Sequence, residues 1–149
     1  MKGNGLEMDD TPLITCVIGT YRRPKLLKRA IYSALNQSFK RLIVFVSDNA
    51  SGDETEEVVR AIQAEDSRLI YHCQPENLGP TANWIYAMSQ VRTQFYNCLC
   101  DDDMLLPGFY EKTYDAFEKY PQAMIVATRV PYVTEMGKFI KEPLCLWDR

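Results

Sequence analysis

The stretch LITCVIGTYRRPKLLKRAIYSAL, residues 13–35, passes from one structural period to another within a few residues. Leu13 to Ile18 is a short apolar run rich in β-branched side chains, closed by Gly19-Thr20-Tyr21, which predicts a buried strand. Pro24 then opens a helix, because its fixed φ suits the first turn and the N–H it lacks would be unpaired there anyway. Leu26, Leu27, Ala30, Ile31, Ala34 and Leu35 return every three to four residues and form one apolar face, which runs out near Asn36-Gln37.

The same alternation continues along the chain. Leu42 to Val46 predicts a second strand, and Asp48 to Asp53 a polar turn. A helix is predicted from about Glu54 to Ala64, with Val58, Val59 and Ile62 inward. A third strand at Leu69 to Cys73, a loop at Gln74 to Gly79 and a helix from Pro80 to about Val91 repeat the unit. A fourth strand, Gln94 to Cys100, runs straight into Asp101-Asp102-Asp103. Pro107 opens a helix to about Tyr120, and Met124 to Thr128 reads as a fifth strand. Alternating strands and helices with short links imply an α/β three-layer sandwich: a mostly parallel, Rossmann-like sheet covered on both faces. Beyond Val130, Tyr132 to Thr134 and Lys138 to Ile140 flank Glu135-Met136-Gly137 as a hairpin.

Size and charge narrow the function. A chain of 149 residues fits one domain, here a polar tail over 1–11 and a folded body over 12–149 with no internal boundary. With 17 Lys+Arg against 20 Asp+Glu the net charge is −3, so no electrostatic footprint for nucleic acid is present. The start is polar and acidic, unlike a signal peptide, and no apolar run approaches the length of a spanning helix. The expected setting is cytoplasmic, with peripheral membrane association left open. Five cysteines, four of them in apolar strand-like runs, argue for reduced, mostly buried thiols, and Cys98-x-Cys100 lacks zinc spacing.

In an open parallel sheet, ligands bind beyond the carboxyl ends of the strands, where the strand order reverses. The chain's unusual polar residues fall at such ends: Thr20 to Arg23, Asp48-Asn49, Asn77 with Gly79, and Asp101 to Asp103. Three adjacent carboxylates repel one another and call for a compensating cation. Oxygen ligands select hard ions such as Mg²⁺ or Mn²⁺. The plainer alternative is a solvated acidic turn at the start of the next helix, where carboxylates favour the helix dipole. Tyr21 beside Arg22 and Arg23 offers an aromatic face and guanidinium donors to a base or diphosphate. Asp48 is suited to accept from the N–H of a base, while Asn49 to Asp53 read as a structural turn.

Five segments in this order, Thr20-Tyr21-Arg22-Arg23-Pro24, Asn36-Gln37-Ser38-Phe39, Val46 to Asp53, Glu76-Asn77-Leu78-Gly79 and Asp101 to Pro107, resemble family 2 glycosyltransferases of the A-type fold. The resemblance spans about Pro12 to Thr128. It implies transfer of a sugar from a nucleotide diphosphate donor, UDP-linked by preference, to a hydroxyl of a glycan or other acceptor with inversion, assisted by Mn²⁺ or Mg²⁺. It further implies Thr20 and Tyr21 beside the base and Asp48 on the base edge; Arg23, read above as a guanidinium donor, is counted with them among the donor-binding residues. Asn77, Gly79 and Asn83 would belong to a loop closing over the nucleotide. Asp101 would face ribose or sugar, with Asp102 and the neighbouring Asp103 on the metal. Many members carry an arginine near Asn83 where this chain has none, and the family's catalytic base lies farther along than this chain extends. The chain is thus expected to lack the acceptor-side part.

Two other classes fit less well. A nicotinamide-binding domain needs a glycine-rich turn after strand one, and this chain has Gly19-Thr20-Tyr21-Arg22-Arg23-Pro24. A non-catalytic α/β nucleotide-binding or interaction module would leave the acidic triplet without chemistry; no nucleophilic triad rivals the metal reading, since the one histidine, His72, stands alone.

Overall fold

The computed structural model describes residues 11–134 and 138–141. Its contacts divide the chain into two compact units, one reaching to Glu111 and one starting at Lys112. The first holds β1 (Ile14–Thr20), α1 (Pro24–Leu35), β2 (Leu42–Asp48), α2 (Thr55–Glu65), β3 (Leu69–Cys73), α3 (Pro80–Ser89) and β4 (Phe95–Cys98). Helix α4 (Phe109–Lys119) begins at its end.

The sheet order is β3-β2-β1-β4, with every pair parallel. β1 is therefore central, and the order reverses between β1 and β4. In register, Thr20 stands level with Asp48, and Asp48 with Cys73. The polar residues that follow the strands thus collect along one edge.

Alternation along the strands sends side chains to two faces. Ile14, Cys16 and Ile18 join Val44, Val46, Leu69 and Tyr71 against Leu27, Ile31, Val59 and Ile62 of α1 and α2. Val17 and Phe45 face Trp84, Tyr86 and Ala87 on α3. Helices on both faces make the three-layer α/β/α sandwich that the alternating pattern implies. Each fully buried aliphatic side chain in it contributes about 1.5–3 kcal/mol.

The α1 pattern does more than fill the core. At its C-terminal end Ser33 Oγ accepts from the Leu105 N–H at 3.0 Å. Gln37 Nε2 donates to the Leu106 carbonyl at 3.1 Å, and Gln37 Oε1 accepts from the Phe109 N–H at 3.0 Å. Two side chains of the first helix and its exit therefore hold residues 105–109, the segment that follows the acidic triplet. Gln37 also explains why α4 starts at Phe109 and not at Pro107: Gly108, at φ +78°, breaks the path, and Gln37 satisfies the first free N–H.

Other expectations also need correction, among them the fourth strand, which spans Phe95–Cys98 and not Gln94 to Cys100. Both β1 and β2 run two residues past their apolar runs, to Thr20 and Asp48, because ladder pairing continues where hydrophobicity stops. Residues 124–128 form no strand; Met124 is 94% and Ile125 84% exposed, and no described strand supplies a ladder partner. The thiols are also not mostly buried. Cys16 is enclosed, whereas Cys73, Cys98 and Cys100 are exposed, the first two lying on edge strands covered on one side only. Cys145 lies outside the described residues.

The second unit contains the hairpin β5 (Tyr132–Val133) and β6 (Phe139–Lys141), antiparallel as the sequence suggests. Its turn, residues 135–137, lies outside the described residues. No helix among the described residues is long and apolar enough to cross a membrane.

Burial pushes the Cys16 thiol up to about 12 from 9.0, against the hydrogen bonds of the neighbouring Tyr110 and Asn97, which pull the other way. The folded state thus keeps the proton while the unfolded chain releases it above pH 9. Stability present below pH 9 is lost as pH rises from there toward 12, by about 1.4 kcal/mol per pH unit for one group. Urea melts at pH 8 and pH 10 are expected to show this loss, and Cys16→Ala is expected to flatten that part of the slope.

Candidate functional site

A cleft of about 550 Å³ opens beyond the carboxyl ends of β1 and β4, lined by Thr20, Tyr21, Arg23, Asn77, Asp101 and Asp102 among others. That volume lies within the usual range for small-molecule sites. Its place at the reversal of strand order is where an open α/β sheet binds ligands.

Two members of the acidic triplet, Asp101 and Asp102, line it, and Asp103 lies outside the lining. Asp101 is only 7% exposed, and each of its oxygens is held: Thr20 Oγ1 donates at 2.8 Å and Arg23 Nη1 at 3.2 Å. Asp102 is half-exposed and takes the same Arg23 nitrogen at 3.1 Å, while Arg29 Nη2 donates to its backbone carbonyl at 2.8 Å. Partial burial, with Asp102 and Asp101 adding repulsion, raises the Asp103 carboxyl above its ordinary value, and Arg29 opposes the shift. Carboxylate oxygens of Asp102 and Asp103 and the Cys100 sulfur lie within 4.8 Å of one another. The triplet's repulsion is thus already offset in part by Arg23 and Arg29.

The wall around Tyr21 is built by the turn after β1. Arg22 adopts φ +56°, unusual for a residue with a Cβ. Its N–H and Nε donate to Ser51 Oγ at 2.8 Å and to the Ser51 carbonyl at 2.9 Å, and its guanidinium lies 5.0 Å from the Tyr21 ring centre. Tyr21 remains 38% exposed and faces the cleft. Arg22 therefore serves the loop, and Arg23 the carboxylates.

Asp48 sits beneath this wall. It is 1% exposed, outside the cleft lining, and accepts from the Ser51 N–H at 3.0 Å, Ser51 Oγ at 2.5 Å and the Tyr71 hydroxyl at 2.7 Å. Those contacts fix the turn that presents Asn49. Asn49, read in sequence as part of a structural turn, does line the cleft. Its Nδ2 donates to Asn77 Oδ1 at 2.9 Å and its Oδ1 accepts from the Leu78 N–H at 2.8 Å, so it joins the loops after β2 and β3. Gly79, at φ +79°, allows the turn into α3, its N–H donating to Asn77 Oδ1.

Asn83 also reaches the lining, yet its polar atoms are engaged below: Oδ1 accepts from Ser47 Oγ at 2.7 Å and Nδ2 donates to the Ser47 carbonyl at 2.9 Å. Beside it, the Trp84 indole crosses the end of β1. A Cβ on Gly19 would meet its ring at 3.1 Å, so the glycine leaves room for it. Trp84, Pro80 and Cys100 are lining residues that sequence reading missed. The signal for Trp84 was the small residue before Thr20, which becomes informative only once β1 and α3 are seen to touch.

Comparison with known proteins then decides the family. The pattern described as "Glycosyl transferase family 2" matches residues 15–144. The chain belongs to that family. An uncharacterised glycosyltransferase of Methanocaldococcus jannaschii is 32% identical over 135 residues, covering 89% of this chain and 47% of its own. A Campylobacter jejuni protein named GalNAc(5)-diNAcBac-PP-undecaprenol β-1,3-glucosyltransferase is 39% identical over 98 residues, 65% of this chain and 32% of its own. The chain spans less than half the length of these two relatives.

Solved structures show the same fold at low identity. S. aureus TarS 1–349 in complex with UDP-GlcNAc superposes with TM-score 0.68 at 18% identity, over 81% of this chain and 40% of that one. A mannosyltransferase from Pyrobaculum calidifontis in complex with GDP-Man and Mn²⁺ superposes with TM-score 0.64 at 20% identity, over 78% of this chain and 34% of that one. Both share this chain's architecture, and the A-type glycosyltransferase fold is the fold of this chain.

Proposed function

We propose that this chain is the donor-binding half of an inverting glycosyltransferase that takes a nucleotide diphosphate sugar, UDP-linked by preference, and delivers the sugar to a hydroxyl of a glycan or related acceptor in the cytoplasm or at its membrane face. The observation that carries this reading is the placement of Asp101 and Asp102 on the same cleft as Tyr21, Asn77 and Arg23. Carboxylates and a guanidinium suit a phosphate and its counter-ion, while the aromatic ring and amides suit a base.

The donor set fits a hard divalent ion. Asp102 and Asp103 are exposed and close enough to share one, and oxygen donors suit Mg²⁺ or Mn²⁺ better than the Cys100 sulfur does. Such an ion supplies Lewis-acid stabilisation of the charge that develops on a departing diphosphate. The chain's own residues do the rest. Thr20 and Arg23 hold Asp101 facing the cleft, where it suits a ribose or sugar hydroxyl. Tyr21 offers its ring to the base, and Asn49 and Asn77 shape the base end. Asp48, Gly79 and Asn83 act on the donor through the loops they set. No described residue is assigned as the base that deprotonates the acceptor.

Calorimetric titration with UDP, GDP, CDP and dTDP in the presence of Mn²⁺ tests the reading. Micromolar to millimolar binding of UDP, lost on chelation, is the expected result. Failure of all four nucleotides to bind sinks it and favours an interaction module.

A further inference from the structure

The acidic triplet already has a cation. One guanidinium nitrogen of Arg23, Nη1, lies 3.2 Å from Asp101 Oδ1 and 3.1 Å from Asp102 Oδ2. Asp101 is buried and its other oxygen is tied to Thr20, so it cannot turn away from this contact. Asp102 and the Arg23 side chain are each 52% exposed and free to move apart. A bridge with one fixed end and one loose end has a preferred place to open, at Asp102.

Asp102 is also the carboxylate proposed above to take the divalent ion, and this inference rests on that reading. A guanidinium and a divalent ion on one carboxylate draw on the same negative charge and repel each other. Ion binding at Asp102 therefore loosens the Arg23 contact there. Arg23 lines the same cleft, so a released guanidinium remains beside the place of the diphosphate, and its fork of donors matches phosphate oxygens. Neither neighbouring arginine is placed to do this. Arg22 is bound to Ser51 and lies against Tyr21, and Arg29 donates to the Asp102 backbone.

We infer that Arg23 is a positioning residue that gives up Asp102 to the divalent ion and turns to the donor's diphosphate. Through it, ion and nucleotide raise each other's affinity. Without nucleotide, Arg23 opposes the ion; with nucleotide, it secures the phosphate that the ion also needs. The two bindings are thus linked through this side chain as well as by the direct attraction of ion and diphosphate, and linkage is reciprocal.

The test measures Mn²⁺ affinity by electron paramagnetic resonance of the free ion, with and without saturating UDP, on the whole chain and on Arg23→Gln and Arg23→Lys. Without UDP, Arg23→Gln is expected to bind Mn²⁺ roughly 5-fold more tightly than the unaltered chain, because its competitor is gone. UDP is expected to tighten Mn²⁺ binding by about tenfold in the unaltered chain and by less than about threefold in Arg23→Gln. A residue that only supports the fold would not raise ion affinity when removed. Equal or weaker Mn²⁺ binding by folded Arg23→Gln without UDP, or an undiminished effect of UDP, overturns the inference while leaving the site reading intact. An unaltered chain that binds neither Mn²⁺ nor UDP overturns both. Should Arg23→Gln fail to fold by circular dichroism, Arg23→Lys decides: it keeps the charge without the fork, so UDP's effect on Mn²⁺ is expected to fall roughly threefold, and no fall overturns the inference.

Discussion

Replacement of Asp102 by asparagine is expected to lower Mn²⁺-dependent UDP affinity by about 100-fold, or about 2.7 kcal/mol, while leaving the fold intact. The selectivity follows from exposure. Asp102 is half in solvent and its partner Arg23 equally so, and such surface pairs contribute about 0–1 kcal/mol to stability. The melting temperature of Asp102→Asn is therefore expected to stay within about 3 °C of the unaltered chain. What the substitution removes is an anionic oxygen open to an ion, with Asp103 beside it. Asp101→Asn makes the contrast, since Asp101 is buried and held by Thr20 and Arg23, and its loss is expected to lower stability and binding together. Calorimetry paired with thermal melts separates the two patterns. UDP and Mn²⁺ binding by Asp102→Asn at the level of the unaltered chain would remove Asp102 from the metal site.

The architecture was legible in the sequence because it rests on periods. The switch from strand to helix at Pro24, and its recurrence three times, fixed both the alternation and the parallel sheet. The ends were less legible: β1 and β2 extend to Thr20 and Asp48 by pairing with each other, and a ladder is a property of two segments, not of either alone. Residues 124–128 failed for the same reason in reverse. Their composition suits a strand, but a strand exists only where a neighbour accepts its hydrogen bonds.

For the site, Thr20, Tyr21, Arg23, Asn77, Asp101 and Asp102, all read in sequence at strand ends, line one cleft in the structure. What sequence position cannot give is the direction in which a polar side chain spends its hydrogen bonds. Asp48 and Asn49 are adjacent, yet the first points down into the protein and the second lines the cleft. Likewise three adjacent carboxylates give no sign, in sequence, of Arg23 and Arg29, which reach the triplet from 78 and 73 positions away.

Asp48→Ala is expected to be the most damaging single substitution in this region, costing about 3–5 kcal/mol of stability. Its carboxylate receives the Ser51 N–H, the Ser51 hydroxyl and the Tyr71 hydroxyl, all inside the protein. Alanine would leave these donors without their acceptor in a place water does not reach, since Ser51 is 1% and Tyr71 7% exposed. For a domain of this size the melting temperature is expected to fall by about 10 °C. Asp48→Asn keeps the volume and one acceptor oxygen but turns an amide N–H toward a donor, so an intermediate loss is expected. The pair also separates two roles for this side chain. If Asp48 acts by fixing the loop that presents Asn49, UDP affinity falls in step with stability in both variants. If instead Asp48→Asn melts like the unaltered chain yet binds UDP tenfold or more weakly, its carboxylate meets the base directly, and the turn after β2 opens when the nucleotide binds.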